Sequence, residues 1–593
     1  MCGIFFSLSS ETTLPTQETL TLLEKRGPDS CQTHTVYKEI PTPDGPHTLH
    51  LTFISTVLAL RGDHVYKQPL IDPATKSVLC WNGEAWKIAG ERISGNDTEH
   101  VLNLFIQAVA GDDDRNAAAH RLGKAVASIS GPFAFVFYDA TNSRLFFSRD
   151  CLGRRSLLQG YEENGTLKIC SLCDGSSSVC FEEVGFDGVY MIDLATYRDS
   201  SASNDRYKIE TLPWSSDSVP PVGHIKNPIP PMNMEVPSQQ PPPLTLDTVF
   251  VQELESKLRQ SLALRIDDVP EPPGYIQGQS ARVAVLFSGG LDCTLLARLS
   301  HDILPLEEPV DLLNVAFENP RVAAAAAAAA ASANRQTLSS PSPISTYEAC
   351  PDRITGRSAY NELQQTCPGR KWRFIAIDVP YTETLAHRDT VKRLMRPHNT
   401  EMDLSIACAL YFASRGQGTF HDSHAEQKPP INNDANTYTS FARVLLSGLG
   451  ADELFAGYGR HGVAFNRSGF DGLVSEIHLD VSRLGQRNLG RDDRILSHWG
   501  RETRFPYLDE DFVAWVLRAP VWVKCGFGLA SLSEDHNASG SIVGIDAEKM
   551  ALRLVALRLG LRNVAREKKR AIQFGARTAK MEKGRTKGTD ALS

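Results

Sequence analysis

Residues 283–299, VAVLFSGGLDCTLLARL, join a buried strand to an amphipathic helix through a loop that contains two glycines. Gly289 and Gly290 let the backbone approach a bound group closely, and the free N–H groups at the helix start can hold an anion. Ser288 adds a hydroxyl, and Asp292 offers a ligand for Mg²⁺. The stretch therefore predicts a phosphate-binding loop at the end of a strand in an α/β sheet.

Three more apolar runs follow this loop and predict further strands. They are 311–319 (DLLNVAFEN), 372–380 (WRFIAIDVP) and 443–450 (RVLLSGLG), and helical stretches separate them. This alternation of strands and helices predicts a parallel α/β domain. We expect the domain to span 247–593, to open with a helix at Asp247, and to carry a low-complexity, alanine-rich insertion at about 320–345.

A second glycine-containing loop lies in residues 444–460, VLLSGLGADELFAGYGR. Ser447 and Gly448 end a predicted strand, and Asp452 follows them at the edge where ligands bind in such sheets. We expect the two loops to face one site, in which Asp292 and Asp452 share one Mg²⁺ on a pyrophosphate. No Gly-Lys-Ser/Thr follows the first loop, so the phosphate loop of kinases and GTPases is disfavoured.

The first 198 residues read as short strands with few long helices, which predicts stacked sheets with flanking helices. Residues 199–246 are rich in proline and serine and predict a linker without a packed element. The chain opens Met-Cys-Gly, and removal of Met1 would leave Cys2 with a free α-amine that can serve as its general base. We therefore expect the active protein to begin at Cys2.

Composition narrows the class of protein. A net charge of −8 gives no reason to expect a nucleic-acid partner. No apolar run approaches the about 20 residues of a membrane helix, so we expect no membrane association. The 12 cysteines do not have the regular spacing of a small disulfide-linked domain. This favours a reducing compartment and predicts a cytoplasmic protein. The composition leaves open whether the protein forms a homodimer.

Both loops resemble those of the asparagine synthetase family, which read S-G-G-x-D-S and near L-S-G-E-G-[SA]-D-E-x-F-x-G-Y. Residues 501–513 (RETRFPYLDEDFV) and 566–577 (REKKRAIQFGAR) resemble its downstream segments, with Lys569 in the place of the catalytic lysine and Lys568 as an alternative register. Residues 351–356, 399–407 and 487–494 are similar to the asparagine synthetase domain-containing group within it. The resemblance implies an ATP-pyrophosphatase fold with ATP bound by Leu286, Ser288, Gly289, Gly290, Asp292, Ser447 and Gly448.

The N-terminal half resembles class II glutamine amidotransferases, which have an Ntn-type αββα fold. The matching stretches are 2–5 (CGIF), 26–30 (RGPDS), 68–70 (QPL), 82–84 (NGE) and 148–157 (SRDCLGRRSL), in the family's order. The resemblance makes Cys2 the nucleophile, and Asn82 and Gly83 the oxyanion hole. It implies that Arg61 binds the carboxylate of glutamine and Asp97 its amine.

The resemblance implies a glutamine-dependent ligase that uses ATP and Mg²⁺. Cys2 would release ammonia from glutamine, ATP would adenylate aspartate, and ammonia would displace AMP to give asparagine. Three positions depart from the pattern: Cys293 replaces serine, Ala456 replaces glycine, and Leu449 stands where asparagine synthetases carry an acid. Because leucine can neither accept a proton nor hold an ammonium, two alternatives stay open: another carboxylate as acceptor, or a catalytically weak protein kept for interaction or regulation.

Overall fold

A computed structural model describes residues 2–42, 45–111, 115–175, 180–196, 207–333, 345–422, 437–530, 544–581 and 587–592. The chain divides into two compact units. Unit 1 comprises Met1–Pro231, Arg483–Glu502 and Asp509–Ala514, and unit 2 comprises Met232–Ser482, Thr503–Leu508 and Trp515–Ser593. Both units are mixed in α and β structure.

Unit 1 contains two stacked sheets. Their strands, and those of a small third sheet, are β1 (Gly3–Ser9), β2 (Ser30–Thr42), β3 (Gly45–Val57), β4 (Leu70–Ile71), β5 (Val78–Gly83), β6 (Lys87–Ile88), β7 (Glu91–Arg92), β8 (Ile129–Ser130), β9 (Phe133–Asp139), β10 (Arg144–Arg149), β11 (Leu158–Tyr161), β12 (Leu167–Cys170), β13 (Glu182–Glu183), β14 (Gly188–Asp193), β15 (Ile209–Ser215) and β16 (Ile225–Lys226). Its helices near the start are α1 (Gln17–Arg26), α2 (Asp97–Val109) and α3 (Arg115–Ala127). The sheets run β13-β11-β12-β1-β3-β2 and β16-β15-β14-β10-β9-β5-β4.

The core of unit 1 lies between these two sheets. Phe6 and Leu51 of the first sheet pack in one buried cluster with Val136 and Leu145 of the second. Helices α2 and α3 cover the outer face of the second sheet, and α1 contacts β1 and β3 of the first. Successive apolar side chains along these strands point to opposite faces of the sheet, and both faces are buried. The outer face of each sheet therefore needs helices to cover it. This is the predicted αββα arrangement of an Ntn-type glutaminase domain.

Part of the predicted linker is a strand. β15 pairs antiparallel with β14, with Leu212 opposite Val189, and Leu212 and Trp214 pack on the cluster beneath α2 and α3. The prediction that 199–246 holds no packed element is therefore wrong for 209–215, because the prolines that suggested it mostly lie beyond this stretch. Residues 199–206 lie outside the described part of the chain, and the predicted boundaries at 198 and 247 stay predictions.

Unit 2 is built around one mixed sheet. Its strands are β17 (Val283–Leu286), β18 (Val310–Phe317), β19 (Trp372–Val379), β20 (Gln417–Asp422), β21 (Thr437–Thr439), β22 (Val444–Leu446) and β23 (Glu502–Arg504), in the order β21-β20-β19-β18-β17-β22-β23. The helices that follow α3 along the whole chain are α4 (Val249–Ile266), α5 (Leu291–Ile303), α6 (Pro320–Ala333), α7 (Pro351–Thr366), α8 (Tyr381–Met395), α9 (Glu401–Arg415), α10 (Ala451–Leu454), α11 (Gly459–Ser482), α12 (Leu484–Arg487), α13 (Leu489–Ser497), α14 (Glu510–Arg518), α15 (Met550–Arg558) and α16 (Ile572–Gly575).

The four predicted strands of this sheet are parallel neighbours: β17 pairs with β18 and β22, and β18 pairs with β19. β20 and β21 continue the sheet in antiparallel sense, so the predicted parallel sheet is a mixed one. The opening helix α4 begins at Val249, with Thr248 rather than Asp247 at its cap. The first loop, after β17, and the second, after β22, thus come from adjacent strands.

Helix α6 contains the alanine run, as the high helix propensity of alanine favours. The rest of the predicted insertion, 334–344, lies outside the described residues. Within the described ranges, every helix is too short or too polar to cross a membrane.

Candidate active sites

Cys2 lies at the start of β1, where two side chains hold its backbone. Its N–H donates to Oδ1 of Asn82 at 2.9 Å, and its carbonyl accepts from Nε of Arg26 at 2.7 Å. A Cβ on Gly3 would meet Oγ1 of Thr56 at 2.5 Å, so only glycine fits directly after Cys2. Cys2 is 8% exposed, and burial raises the pKa of its thiol. The cysteine is therefore anchored as a buried thiol at the N-terminal end of β1, an interior strand of the sheet.

Asn82 and Gly83 end β5 beside this cysteine. While Oδ1 of Asn82 accepts the Cys2 N–H, its Nδ2 is buried and has no hydrogen-bond partner. A buried donor without a partner carries a free-energy cost that an oxyanion would remove. A Cβ on Gly83 would lie 2.6 Å from Phe133 and from the carbonyl oxygen of Pro132. Asn82 thus contacts Cys2 and keeps an unsatisfied amide donor, and the oxyanion hole that it would form with Gly83 stays a prediction.

Arg61 and Asp97 meet at the loop that follows β5. Asp97 accepts from the Ala85 N–H at 2.7 Å and from Nε1 of Trp81 at 3.1 Å. Nη1 of Arg61 donates to the Ala85 carbonyl at 2.7 Å. Burial raises the pKa of Asp97, and the Arg61 guanidinium opposes this rise. The structure therefore brings together the two groups predicted to bind the ends of glutamine.

Arg26 depends on a distant part of the chain. Its guanidinium contacts Oδ2 of Asp493 at 2.5 Å and Oγ of Ser497 at 2.7 Å. Both partners lie in α13, which belongs to unit 1. The pKa of Asp493 is held below its ordinary value: burial would raise it, but Arg26 and Arg155 outweigh burial. Sequence analysis missed this anchor, because nothing in the motif at 26–30 indicates which late segment meets it.

The phosphate-binding loop takes the predicted strand–loop–helix form, with Leu286 ending β17 and Gly290 capping α5. Gly289 has φ +80°, and a Cβ there would meet the backbone of Thr355 and Gly356 at 2.5 Å. This position requires glycine for both its left-handed conformation and its close contact. The residue at the N-cap of α5, Gly290, offers no side chain to the first N–H groups of the helix. Oγ of Ser288 lies 3.3 Å from the Gly290 N–H, which donates to it.

The second loop contacts the first. A Cβ on Gly448 would lie 2.7 Å from Cβ of Asp292, and the Ser447 N–H donates to the carbonyl of Arg504 at 3.1 Å. This close approach brings Asp292 of the first loop near Asp452 of the second, as we expected for two loops that face one site.

Lys549, which sequence analysis missed, lies between these two aspartates. Its Nζ is 2.6 Å from Oδ2 of Asp292 and 2.7 Å from Oδ1 of Asp452. Burial lowers the pKa of a lysine, but the two carboxylates outweigh burial, and the pKa of Lys549 lies above its ordinary value. Lys549 has φ +56° at the cap of α15, and a Cβ on Gly457 would lie 2.2 Å from its Cε. A lysine just before an apolar helix carries no signal that predicts this position.

The aspartate pair can hold a divalent cation only together with other ligands. Oδ1 of Asp292 is buried without a hydrogen-bond partner, which leaves one carboxylate oxygen free for a cation. Mg²⁺ is typically held by one or two carboxylates plus substrate phosphates. No cluster of three or more histidine, cysteine, aspartate or glutamate side chains able to hold a metal occurs within the described ranges. Asp292 and Asp452 thus fit Mg²⁺ as a nucleotide-borne ion, with Lys549 supplying the positive charge between them.

Lys569 lies on the opposite side of Asp452, with Nζ 2.8 Å from Oδ2 and 5.5 Å from the centre of the Tyr458 ring. Lys568 lines the same cavity, but of these two neighbouring lysines it is Lys569 that forms the ion pair with Asp452. The cavity has a volume of about 100 Å³ and is lined by Ser288, Gly290, Leu291, Asp292, Asp352, Thr355, Lys549, Arg553, Glu567, Lys568, Lys569 and Arg570. Basic side chains outnumber acidic ones in this lining, which suits a polyanion such as pyrophosphate.

The three departures from the family pattern have distinct settings. The Leu449 side chain is half-buried in the second loop, and its N–H lies 3.3 Å from Oγ of Ser447. Cys293 is buried, with Sγ 3.4 Å from the Gly290 carbonyl. Ala456 is buried at φ +56°, a left-handed conformation that glycine adopts without strain.

Two acids, Glu453 and Glu502, lie in the segments that resemble those of the family and are candidates for the acid that Leu449 lacks. Glu453 is 8% exposed, and its Oε1 accepts from the Tyr458 hydroxyl at 2.5 Å. Burial, and then the neighbouring Asp452, raise the pKa of Glu453. Glu502, in the segment 501–513, is buried in an ion pair with Arg155 at 2.8 Å. Glu453 is therefore the better placed of the two acids.

Comparisons with known proteins match both halves of the chain. The glutamine amidotransferase domain family matches residues 1–181, and the asparagine synthase family matches residues 466–584. Asparagine synthetase domain-containing protein 1 of Bos taurus is 32% identical, covering 99% of this chain and 97% of the relative. Its counterpart from Gallus gallus is 32% identical over 100% of this chain and 99% of the relative. Asparagine synthetase [glutamine-hydrolyzing] of Rattus norvegicus is 26% identical over 30% of each chain.

Two component families in the expected order, and relatives that match along almost their whole length, agree with the two sites described above. The chain belongs to the asparagine synthetase family, in the group of the asparagine synthetase domain-containing proteins.

Proposed function

We propose that this protein is a glutamine-dependent, ATP-consuming amide ligase whose first-choice acceptor is aspartate and whose product is asparagine. The observation that carries the proposal is the bridge that Lys549 forms between Asp292 and Asp452, beside a basic cavity at the start of α5 that Asp292 and Lys549 line. Such a cavity suits the pyrophosphate of ATP, and the family matches supply the ammonia donor. A cytoplasmic location is part of the proposal, because all 12 cysteines are unpaired.

In the first half-reaction the Cys2 thiolate adds to the amide carbon of glutamine. The carbonyl oxygen becomes an oxyanion, for which we propose Nδ2 of Asn82, a buried donor without a partner, and the Gly83 N–H as the stabilising donors. Collapse breaks the C–N bond, the leaving nitrogen takes a proton and departs as ammonia, and a thioester on Cys2 remains. Water then hydrolyses the thioester to glutamate. Removing one oxyanion donor typically costs about 10²–10³ in rate.

In the second half-reaction the acceptor carboxylate attacks the α-phosphorus of ATP, and pyrophosphate leaves. Mg²⁺, when bound with the nucleotide, would neutralise charge on the departing phosphates. Lys549 and Lys569 would stabilise the same charge from the protein side, because both side chains line the cavity. Ammonia then attacks the acyl carbon of the adenylate, AMP leaves, and the amide forms.

Leu449 favours a second candidate, a ligase that acts on another carboxylate. A half-buried leucine in the second loop offers apolar contact in place of the acid that the family carries. A site of this kind suits an acceptor with an apolar group beside its carboxylate better than it suits aspartate. Both candidates share glutamine hydrolysis and adenylation, and they differ only in the acceptor.

Product analysis separates the candidates. The full-length protein is incubated with glutamine, ATP-Mg and either aspartate or a mixture of carboxylates, and nucleotides and amides are identified by mass spectrometry. Asparagine, AMP and pyrophosphate are expected with aspartate. AMP release with another carboxylate alone selects the second candidate. ADP and phosphate as sole products would refute adenylation, and absence of AMP with every carboxylate, while ATP still binds, would favour an interaction protein.

A further inference from the structure

Gln68 is a buried carboxamide next to the sulfur of Cys2. It is 2% exposed, and its Nε2 lies 3.9 Å from Sγ of Cys2. Its Oε1 accepts the Trp81 N–H at 2.8 Å. The sequence pointed to 68–70 only as a stretch in the expected order, and no function for Gln68 followed from it.

The hydrogen bond to Trp81 determines which end of the carboxamide faces the sulfur. An amide side chain has one oxygen that accepts and one nitrogen that donates. A backbone N–H can only donate, so the group that meets Trp81 must be Oε1. The NH₂ end therefore points toward Sγ, which accepts hydrogen bonds, most strongly as a thiolate.

Two other side chains hold the backbone of Cys2 rather than its sulfur. Asn82 accepts its N–H and Arg26 donates to its carbonyl. Besides Gln68, the Leu58 N–H also lies within hydrogen-bond reach of the thiol and favours its charged form. Gln68 is thus a side chain that can orient the sulfur and favour the ionised form of the thiol.

We propose that Gln68 is a catalytic residue of the glutaminase site, donating a hydrogen bond from Nε2 to the Cys2 thiolate as it attacks. The inference rests on the proposed hydrolysis of glutamine at Cys2 and deepens it. A donor to the charged form of a group favours that form, and here it opposes the effect of burial on the thiol. Once the thioester has formed, the sulfur is neutral and the interaction weakens, so the contact favours the attacking species.

Two substitutions separate the donor from the rest of the side chain. Gln68→Glu keeps an oxygen for the Trp81 N–H but places a carboxylate oxygen against Sγ. Gln68→Met has a similar shape and removes both hydrogen bonds. Gln32→Glu, at an exposed position of β2, is the matched control for the added charge.

The readout is the pH dependence of Cys2 alkylation by iodoacetamide, followed by mass spectrometry of the Cys2-containing peptide. We expect the midpoint to rise by about one pH unit or more in Gln68→Glu and by less in Gln68→Met. The control should titrate like the unmodified protein. The kcat/KM for glutamine should fall about tenfold or more in both Gln68 variants.

An unchanged or lowered midpoint in the folded fraction of the Gln68 variants, isolated by gel filtration, overturns the inference. If Gln68→Glu does not fold, the alkylation midpoint of Gln68→Met is judged by the same criterion. Gln68→Asn, whose side chain is one methylene shorter and draws the amide back from Sγ, gives a third midpoint for comparison. A raised midpoint in a protein that does not hydrolyse glutamine would refute the proposed function but leave the contact with the thiolate standing. Glutamine hydrolysis without a shift would refute the inference alone.

Discussion

Replacing Lys549 by methionine should destabilise unit 2, because it removes a buried cation that two partly buried carboxylates share. Nζ of Lys549 lies 2.6 Å from Asp292 and 2.7 Å from Asp452. Removing one partner from a buried ion pair typically costs about 3–5 kcal/mol. Methionine is close to lysine in length and carries no charge, so it isolates the electrostatic effect from packing.

Differential scanning calorimetry measures this loss. From the entropy of unfolding per residue, a cost of about 3–5 kcal/mol in a unit of this size corresponds to a fall of about 4–7 °C in its melting temperature. Millimolar Mg²⁺ should restore part of the loss, because a divalent cation can take the place of the ammonium between the carboxylates. Lys568→Met is the matched control, since Lys568 lines the same cavity but is exposed.

A fall of less than 1 °C in Lys549→Met, or an equal fall in Lys568→Met, would refute the reasoning. The first result would mean that the bridge adds nothing net, as for an exposed ion pair. The second would mean that general charge in the cavity, rather than the pairing at Lys549, sets stability.

Other predictions concern both units. Cys2→Ala should abolish glutamine hydrolysis but spare amide formation from free ammonia, as a coupled assay of AMP release would measure; loss of both in folded protein would contradict separate sites. Leu449→Glu should raise aspartate-dependent AMP release, by up to about 10²–10⁴-fold if a positioned acid is what is missing; unchanged turnover with aspartate would favour another acceptor. Gly289→Ala should weaken ATP binding measured by calorimetry, because Cβ would meet the backbone of Thr355 and Gly356 at 2.5 Å; wild-type affinity would contradict that contact. Burial of the Lys524 amine, which has no hydrogen-bond partner, lowers its pKa to about 7 in the folded protein. In the unfolded chain the pKa is about 10.5, so between these two pH values Lys524 carries its extra proton only in the unfolded chain. Stability should therefore rise with pH across this range, and Lys524→Met should remove up to about 1.4 kcal/mol per pH unit of that slope in urea titrations; an unaltered slope would show that Lys524 is charged in the folded state.

The sequence by itself determined the features that depend on neighbours along the chain. The strand–loop–helix at 283–299 was predicted, because apolar runs, glycines and a helix start are local patterns. The order of motifs at 2–5, 26–30, 68–70 and 82–84 indicated the glutamine amidotransferase half for the same reason, and the family matches confirm it. Stacked sheets with flanking helices were also predicted, from the short strands before residue 198, and the resemblance specified an αββα fold.

Only the tertiary structure decided which distant side chains meet. Lys549 lies between Asp292 and Asp452, although 257 residues separate it from the first. Asp493 reaches back 467 residues to Arg26, and proline content concealed the strand β15. Local pattern carries no information about such pairs, because the balance of burial and charge that fixes them exists only once the chain has closed on itself. The same balance shifts the pKa values of the sites: the sequence supplies the ionisable groups, and the folded neighbourhood sets their charge.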